Sequence, residues 1–461
     1  MAPAPGPGND PQLVATGPTP PLGGRWPLLG YLPRLVADPA GLAAEAMHNT
    51  DQVVPLRLGP VTVPLLHHPD HLQHILLTNQ KNYVKGPMFA RVGMMLGDGL
   101  VLAEGEAWRR QRKLMTFPFA PKRLQSTIPT IAEVVDRHLL SWRSAGGGAY
   151  ELKREASAIT MRVLLQTFFT TSMDDTRLDR FVRSFQTLSA HLNVRGPTFF
   201  LPDRFPLPGR RGALAARVEL HQIIDQLIAE RRRSGVDGAD LLGLFLSARD
   251  EEGAPMSDEL LRDEIKTAIF GGFETTATGI AFTLHTLASQ PDIAELARAE
   301  VLRVMPEGLP NAEQLSQLDY LGRVFKDVLR LYPPFSFHPR MALEDDVICG
   351  HPIRAGTTLF YSNYAAGRNP RYWAHPETLD PDHFLPEAVA QRHRFAYVPF
   401  AAGPRICLGM ALAMIEAQVV LGLVLRDFEL RALAPLVMKA KFGPTQARGG
   451  VQVELRPRRK G

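Results

Sequence analysis

Cysteine is almost missing: 461 residues hold only Cys349 and Cys407. At most one bridge could form, which excludes a disulfide framework. Two sulfurs are also too few for the usual structural zinc site built on thiolates. Such usage fits a reducing cytoplasm. Long apolar runs are missing too. No stretch reaches the ~18 uninterrupted apolar residues of a membrane span, and the nearest, residues 411–425, carries Glu416 and Gln418. The start of the chain has no basic flank followed by an apolar segment, so it does not read as a secretory signal. The expectation is a soluble, cytoplasmic protein without a membrane anchor. Charge of one sign is not in large excess: 52 Lys and Arg face 47 Asp and Glu, a net +5. So mild a balance does not call for a nucleic-acid partner. There is no glycine-rich dinucleotide fingerprint, no flavin domain and no cysteine-rich iron–sulfur segment, so electrons for any redox chemistry must come from another protein.

What is present is an ordinary globular mixture, 45% hydrophobic and 21% charged. Residues 1–16 are rich in Pro, Gly and Ala and read as a mobile tail. A proline-punctuated lead runs from Gly17 to about Gly30. Residues 53–58 and 61–66 read as two short strands joined at Gly59-Pro60. From Trp108 onward helical patterns dominate. One helix starts at Ser257, a fitting N-cap with Asp258 and Glu259 in the first turn, and continues to about Ser289. At roughly 1.5 Å per residue it is close to 50 Å long. A second spans about 315–331 and stops at Pro333-Pro334. A third begins beside Cys407 and ends near Asp427. A strand region at 347–358 and a long irregular stretch, 368–404, lie between the last two. An irregular stretch of that length usually serves a function. Length alone suggests about three domains. No linker beyond Gly146-Gly147-Gly148 divides the chain, and no repeat is visible. We therefore expect one large, mainly helical domain with small β-sheets (α+β), residues 17–457.

The segment Phe400-Ala-Ala-Gly-Pro-Arg-Ile-Cys-Leu-Gly409 carries the chemistry. Cys407 sits just before an apolar helix, at the positive end of its dipole, which favours a thiolate. Gly403 and Gly409 let the backbone turn tightly and come close to a flat ligand. Phe400 can pack beside the sulfur, and Arg405 can meet a carboxylate. A soft, shielded thiolate suits porphyrin iron; the plainer alternative is one more buried free cysteine. This segment resembles the haem-binding loop of the cytochrome P450 family. The resemblance implies a P450 fold, a single triangular haem domain, and haem b (iron protoporphyrin IX) held through Cys407.

Other motifs extend the resemblance from about residue 17 to 455. In Ala268-Ile-Phe-Gly-Gly-Phe-Glu-Thr-Thr-Ala277, Gly271 and Gly272 together cost about 2 kcal/mol of helix propensity, so a kink or a close ligand approach is expected. Glu274 and Thr275 place an acid and an alcohol in one turn, where they could relay protons. The plainer reading is a surface Glu and a Thr bonded to its own helix carbonyl. The segment is similar to the family's oxygen-activation region. Asp327 and Arg330 share a helix face. The family has Glu-x-x-Arg here and an Arg later in Pro-x-x-Phe; this chain has Asp327 and, in Pro381-Asp-His-Phe384, His383. Trp108 and Arg112 match Trp-x-x-x-Arg, and Arg340 and Arg405 match two further partners of the haem propionates. Arginine suits such bidentate pairing, although each alone could be a surface cation.

The resemblance implies a monooxygenase. One atom of O2 enters a small lipophilic substrate, by hydroxylation or epoxidation, and the other becomes water. An external ferredoxin or flavodoxin with its reductase supplies electrons, docking on the basic face at Arg109, Arg110 and Lys113. Residues 86–100, 268–272, 335–338 and 442–444 should wall the substrate pocket, with Phe89, Met94, Met95, Phe335 and Phe337 making it apolar. Peroxide-driven haem-thiolate chemistry and a non-catalytic haem or ligand carrier are the rivals.

Overall fold

The computed structural model describes residues 22–458 except 92, 172, 197, 203–204, 236–239, 250–252, 440–444 and 448. The 1–16 tail, the first part of the proline-punctuated lead and the 442–444 turn lie outside the described residues.

Strands form where the sequence alternates. In Val54–Leu58, the side chains of Val54, Leu56 and Leu58 turn inward while Pro55 and Arg57 face solvent. Gly59, at φ +62°, makes the turn into Val61–Leu66. These two strands continue into Thr358–Ser362, Phe337–Ala342 and Tyr83–Val84, forming a five-stranded sheet. The join between Leu65 and Phe360 is parallel, and the other pairs are antiparallel. The expected strand at 347–358 is instead a hairpin, Asp346–Ile348 with His351–Ile353, followed by the separate strand from Thr358. A three-stranded sheet, Gly148–Glu151, Gln452–Pro457 and Phe428–Ala432, sits apart from these.

Helices make up the rest. Pro121–Ser144, Leu152–Phe168, Glu274–Ala288, Asp319–Leu331 and Met410–Asp427 contribute to one continuous apolar core. Glu274–Ala288 is buried on every side from Thr276 to Leu287, which is how a helix without a polar face must sit. Gly279 permits a close crossing: a Cβ there would lie 3.1 Å from the ring of Phe325 and 3.2 Å from Leu329.

The central helix departs from the sequence expectation. Ser257 caps it, accepting from the Leu260 amide at 3.2 Å. But the helix is not continuous to Ser289. It forms Asp258–Gly272 and Glu274–Ala288, interrupted at Phe273. The paired glycines weaken the helix there, and side chains draw on its carbonyls. Thr275 Oγ1 donates to Gly271 O at 2.8 Å, Thr160 Oγ1 to Phe273 O at 3.1 Å and Lys153 Nζ to Glu274 O at 2.8 Å. Such insertions bend helices. The second helix is also split, into Ala312–Ser316, with a capping box between Asn311 and Gln314, and Asp319–Leu331. The third runs from Met410 to Asp427 as expected.

The 368–404 region, expected to be irregular, contains the short helix Pro386–Gln391 between single turns at Pro381–Phe384 and Arg394–Ala396, and it is tied down by Arg330. Its guanidinium donates to both Asp327 oxygens (2.6 and 3.0 Å) and to the carbonyls of Gly367 (2.9 Å), Pro376 (2.5 Å) and Thr378 (2.8 Å). His383 Nδ1 lies 3.0 Å from Asp327 Oδ1, and the Asp380 amide donates to Oδ2 at 2.8 Å. The shorter Asp and His therefore still close the network. Among the described residues, no helix is long and apolar enough to cross a membrane.

Candidate active site

The 400–409 loop is shaped by one close approach. Gly403 has φ +64°, and a Cβ there would fall 2.0 Å from Leu76 O. Only glycine allows the loop to lie so close to that backbone. Ile406 N then donates to Gly403 O (3.1 Å) and Cys407 N to Phe400 O (2.9 Å). Arg112 donates to Ile406 O at 2.8 Å from the neighbouring helix Gly105–Thr116. The loop thus folds back on itself and presents Cys407 to a chamber of about 370 Å³. Gly409 differs from the sequence expectation. Its backbone is ordinary (φ −80°), and an added Cβ would only touch Cys407 Sγ and Phe119 at 3.9 Å.

Cys407 keeps accessible surface, and that surface belongs to the chamber wall. Burial pushes its thiol above the ordinary cysteine range, while the Gly409 and Met410 amides and the Arg112 charge pull it down.

The wall gathers Trp108, Arg112, Gly271, Thr275, Arg340, Phe400, Arg405 and Gly409 from four separate stretches of sequence. Gly403 and Glu274 do not reach it. Glu274 is buried and pairs with Lys153 Nζ at 3.1 Å, leaving its Oε2 without a partner. Arg405 is ion-paired with Glu104, donates to Ala103 O (2.9 Å) and stacks on the Trp108 ring at 4.1 Å. Arg112 donates to Ile406 O, and Arg340 donates to Pro339 O and lies over the Tyr361 ring at 5.5 Å; among the described residues neither is paired with a carboxylate.

Two residues escaped the sequence reading. Lys85 lines the chamber, and burial, aided by the Arg405 and Arg340 charges, pushes its ammonium well below the usual range. No motif marks it; only the strand Tyr83–Val84 beside Phe337–Ala342 brings it there. Glu264 holds the Leu100 amide at 3.1 Å, and its carboxyl is pushed up to about 7 by burial.

The remaining wall is apolar. Phe89, Phe270, Phe335 and Phe337 all line it, with the Phe270 and Phe335 rings 5.8 Å apart. Met95 is buried away from the wall, beside Ser189. His338 is held neutral: burial lowers its pKa to about 3, and Asn363 Nδ2 donates to its Nε2 at 3.0 Å.

A single cysteine, apolar walls and two arginines without a carboxylate among the described residues fit an iron porphyrin bearing two propionates. Among the described residues, no cluster of three or more His, Cys, Asp or Glu is placed to hold a metal ion. A metal here would have to bring most of its ligands, as porphyrin iron does.

A mainly helical fold with small mixed sheets around such a chamber defines a haem-dependent oxidoreductase. The chain belongs to the cytochrome P450 family, whose description, "Cytochrome P450", matches residues 20–446. It is 30% identical over 94% of its length, and 94% of the relative's, to cyclooctat-9-en-7-ol 5-monooxygenase of Streptomyces melanosporofaciens. It is 32% identical to the ultra-long-chain fatty acid omega-hydroxylase of Homo sapiens, covering 87% of this chain and 81% of that one. The solved cytochrome P450DA heme domain superposes with a TM-score of 0.84 at 25% identity, covering 95% of this chain and 97% of that one. The protein is accordingly a monooxygenase that uses O2 to hydroxylate or epoxidise, with haem as its family's cofactor.

Proposed function

We propose that residues 17–457 form one haem domain in which Cys407 holds the iron and a lipophilic substrate is oxidised against the apolar wall. The observation that carries this reading is that Cys407 and the broken helix segment at Gly271–Thr276 share one chamber. When bound, haem supplies dioxygen activation and transfer of one oxygen atom. Arg112 and Arg340 would meet the propionates, with the Lys85 amine as a further hydrogen-bond donor beside them. Arg405 works at one remove: paired with Glu104, it steadies the Trp108 ring. Phe400 and Leu408 keep water from the sulfur. The absorption spectrum of the reduced protein with carbon monoxide tests the assignment; a strongly red-shifted Soret band is expected, and a band at the position of histidine-ligated haem sinks it.

Thr275 spends its proton on Gly271 O, so the hydroxyl oxygen is left to accept. Glu274, whose Oε2 has no hydrogen-bond partner, must loosen its contact with Lys153 to relay a proton inward. Replacing Glu274 by Gln is expected to slow turnover about 100-fold, the usual worth of a positioned acid. Substrate affinity should be unchanged, because the carboxyl is not on the wall. A larger solvent deuterium effect on kcat should accompany the loss; an unaltered kcat removes Glu274 from the mechanism.

The substrate is of terpenoid or long acyl type. Supporting this are the phenylalanine-lined wall and relatives whose names specify cyclooctat-9-en-7-ol and ultra-long-chain fatty acids.

Electrons come from an acidic ferredoxin or flavodoxin with its reductase. Helix Gly105–Thr116 points Trp108 and Arg112 to the chamber, while Arg109, Arg110 and Lys113 are exposed on its other face. Arg109 is already paired with Glu106, so Arg110 and Lys113 offer the free charge. Reversing both to Glu is expected to slow reduction by ferredoxin about tenfold or more at low salt, since steered association depends on such fields. A rate insensitive to both the reversal and ionic strength counts against this docking face.

A further inference from the structure

A second cavity, of about 280 Å³, abuts the chamber beneath helix Arg210–Ser234. Arg91 lines both spaces. The last turn of helix Asp175–Arg195 divides them: Leu192 and the following Gly196 face the chamber, while His191 and Arg195 face the second cavity. The described lining of this cavity holds four arginines, Arg91, Arg195, Arg210 and Arg217, and no acidic residue.

The four are not equivalent. Arg91 donates to Phe199 O (3.0 Å), and Arg195 to Thr198 O (3.0 Å) and Leu201 O (2.9 Å), so these two hold the neighbouring loop. His191 is fixed by Pro208 O at 3.0 Å. Arg210 and Arg217 lie seven residues apart, two turns along the same face of one helix. Among the described residues neither has a carboxylate partner, and the buried Nε of Arg217 has no hydrogen-bond partner. Two arginines without a carboxylate partner, lining a concave space of mixed polarity beside an apolar chamber, have the form of an anion anchor with room for an attached chain.

We infer that Arg210 and Arg217 bind the anionic head of an amphipathic substrate, a carboxylate or a phosphate, whose apolar chain extends past Arg91 and Leu192 toward Cys407. This rests on the proposed monooxygenase reading and sharpens it: of the two substrate types, it selects a charged acyl chain over a neutral terpenoid. Arg210 and Arg217 are then residues of specificity, not of chemistry.

The test uses the haem-loaded full-length protein and follows the Soret shift as hexadecanoate, hexadecyl phosphate or 1-hexadecanol displaces iron-bound water. One or both anions should bind about tenfold tighter than the alcohol, the scale of one charge-assisted contact. Which anion gains says whether the head is a carboxylate or a phosphate. In the double variant Arg210→Gln/Arg217→Gln, that preference should shrink to within about twofold while alcohol binding is retained. Equal binding of anions and alcohol by the native protein overturns the inference, and so does a preference that survives in the variant. Failure of the carbon monoxide spectrum would instead remove the haem-thiolate reading beneath it, so the two failures are distinguishable.

Discussion

Cys407→Ala protein is expected to lose at least about 1,000-fold in turnover, some 4 kcal/mol of barrier, and to lose the red-shifted carbon monoxide band. The physical reason is local. Cys407 is the one cysteine on the chamber wall among the described residues, and no other side chain there would supply a thiolate. Its environment resists ionisation when no cation is bound, because burial outweighs the Gly409 and Met410 amides. With haem held as proposed, the iron would compensate the buried charge of the Cys407 thiolate, which would in turn donate electron density toward it. Alanine removes that charge but keeps the loop, whose shape depends on Gly403 against Leu76 and on the Cys407 amide bonded to Phe400 O. The variant should remain folded by circular dichroism. Unaltered spectrum and turnover in the variant would require a different ligand and a different enzyme.

Arg330→Met should cost about 3–5 kcal/mol, the penalty for stranding one partner of a buried ion pair. Asp327 and Arg330 are both completely inaccessible. Without the guanidinium, the Asp327 carboxylate keeps only His383 and the Asp380 amide, and three carbonyls lose their donor. Guanidinium-induced unfolding followed by circular dichroism would measure the loss; a change under about 1 kcal/mol would show that the network is dispensable. Restoring the family's usual residue by Asp327→Glu should also destabilise, by about 1–3 kcal/mol, because an extra methylene must be packed into a filled site. The pH dependence has a definite sign. Burial pushes the Asp327 carboxyl up, but hydrogen bonds from His383 and Arg330, with the Arg330 charge, hold it below the ordinary carboxylate range. Its stabilisation is thus complete above about pH 4, the unfolded value, and is lost as pH falls through the lower folded value. The Arg330→Met protein should lack that part of the acid sensitivity.

Much of this was legible in the residues. Phe400, Gly403, Arg405, Cys407 and Gly409 form a pattern dense enough to name a family. Ser257 and the 53–66 hairpin followed from capping and turn chemistry. Less legible was anything set by a distant partner. The helix break at Phe273 depends on Thr160 and Lys153, more than 100 residues earlier in the chain. Whether Glu274 faces the chamber could not be read from its place beside Thr275, because Lys153 decides it. Arg405 matched a propionate partner, yet Glu104 and Trp108 already occupy it.

Local order, then, dictated the elements, the thiolate loop and the family, since each depends on propensity and spacing over a few residues. Charge balance was a tertiary decision. Only the packed chain shows that, among the described residues, Arg112 and Arg340 stand without a carboxylate while Arg405 does not, that Lys85 reaches the chamber, and that Arg210 and Arg217 border a cavity beside it. The reason is that electrostatic partners are chosen by distance in space, and the residues that line the chamber come from 85 to 413 along the sequence.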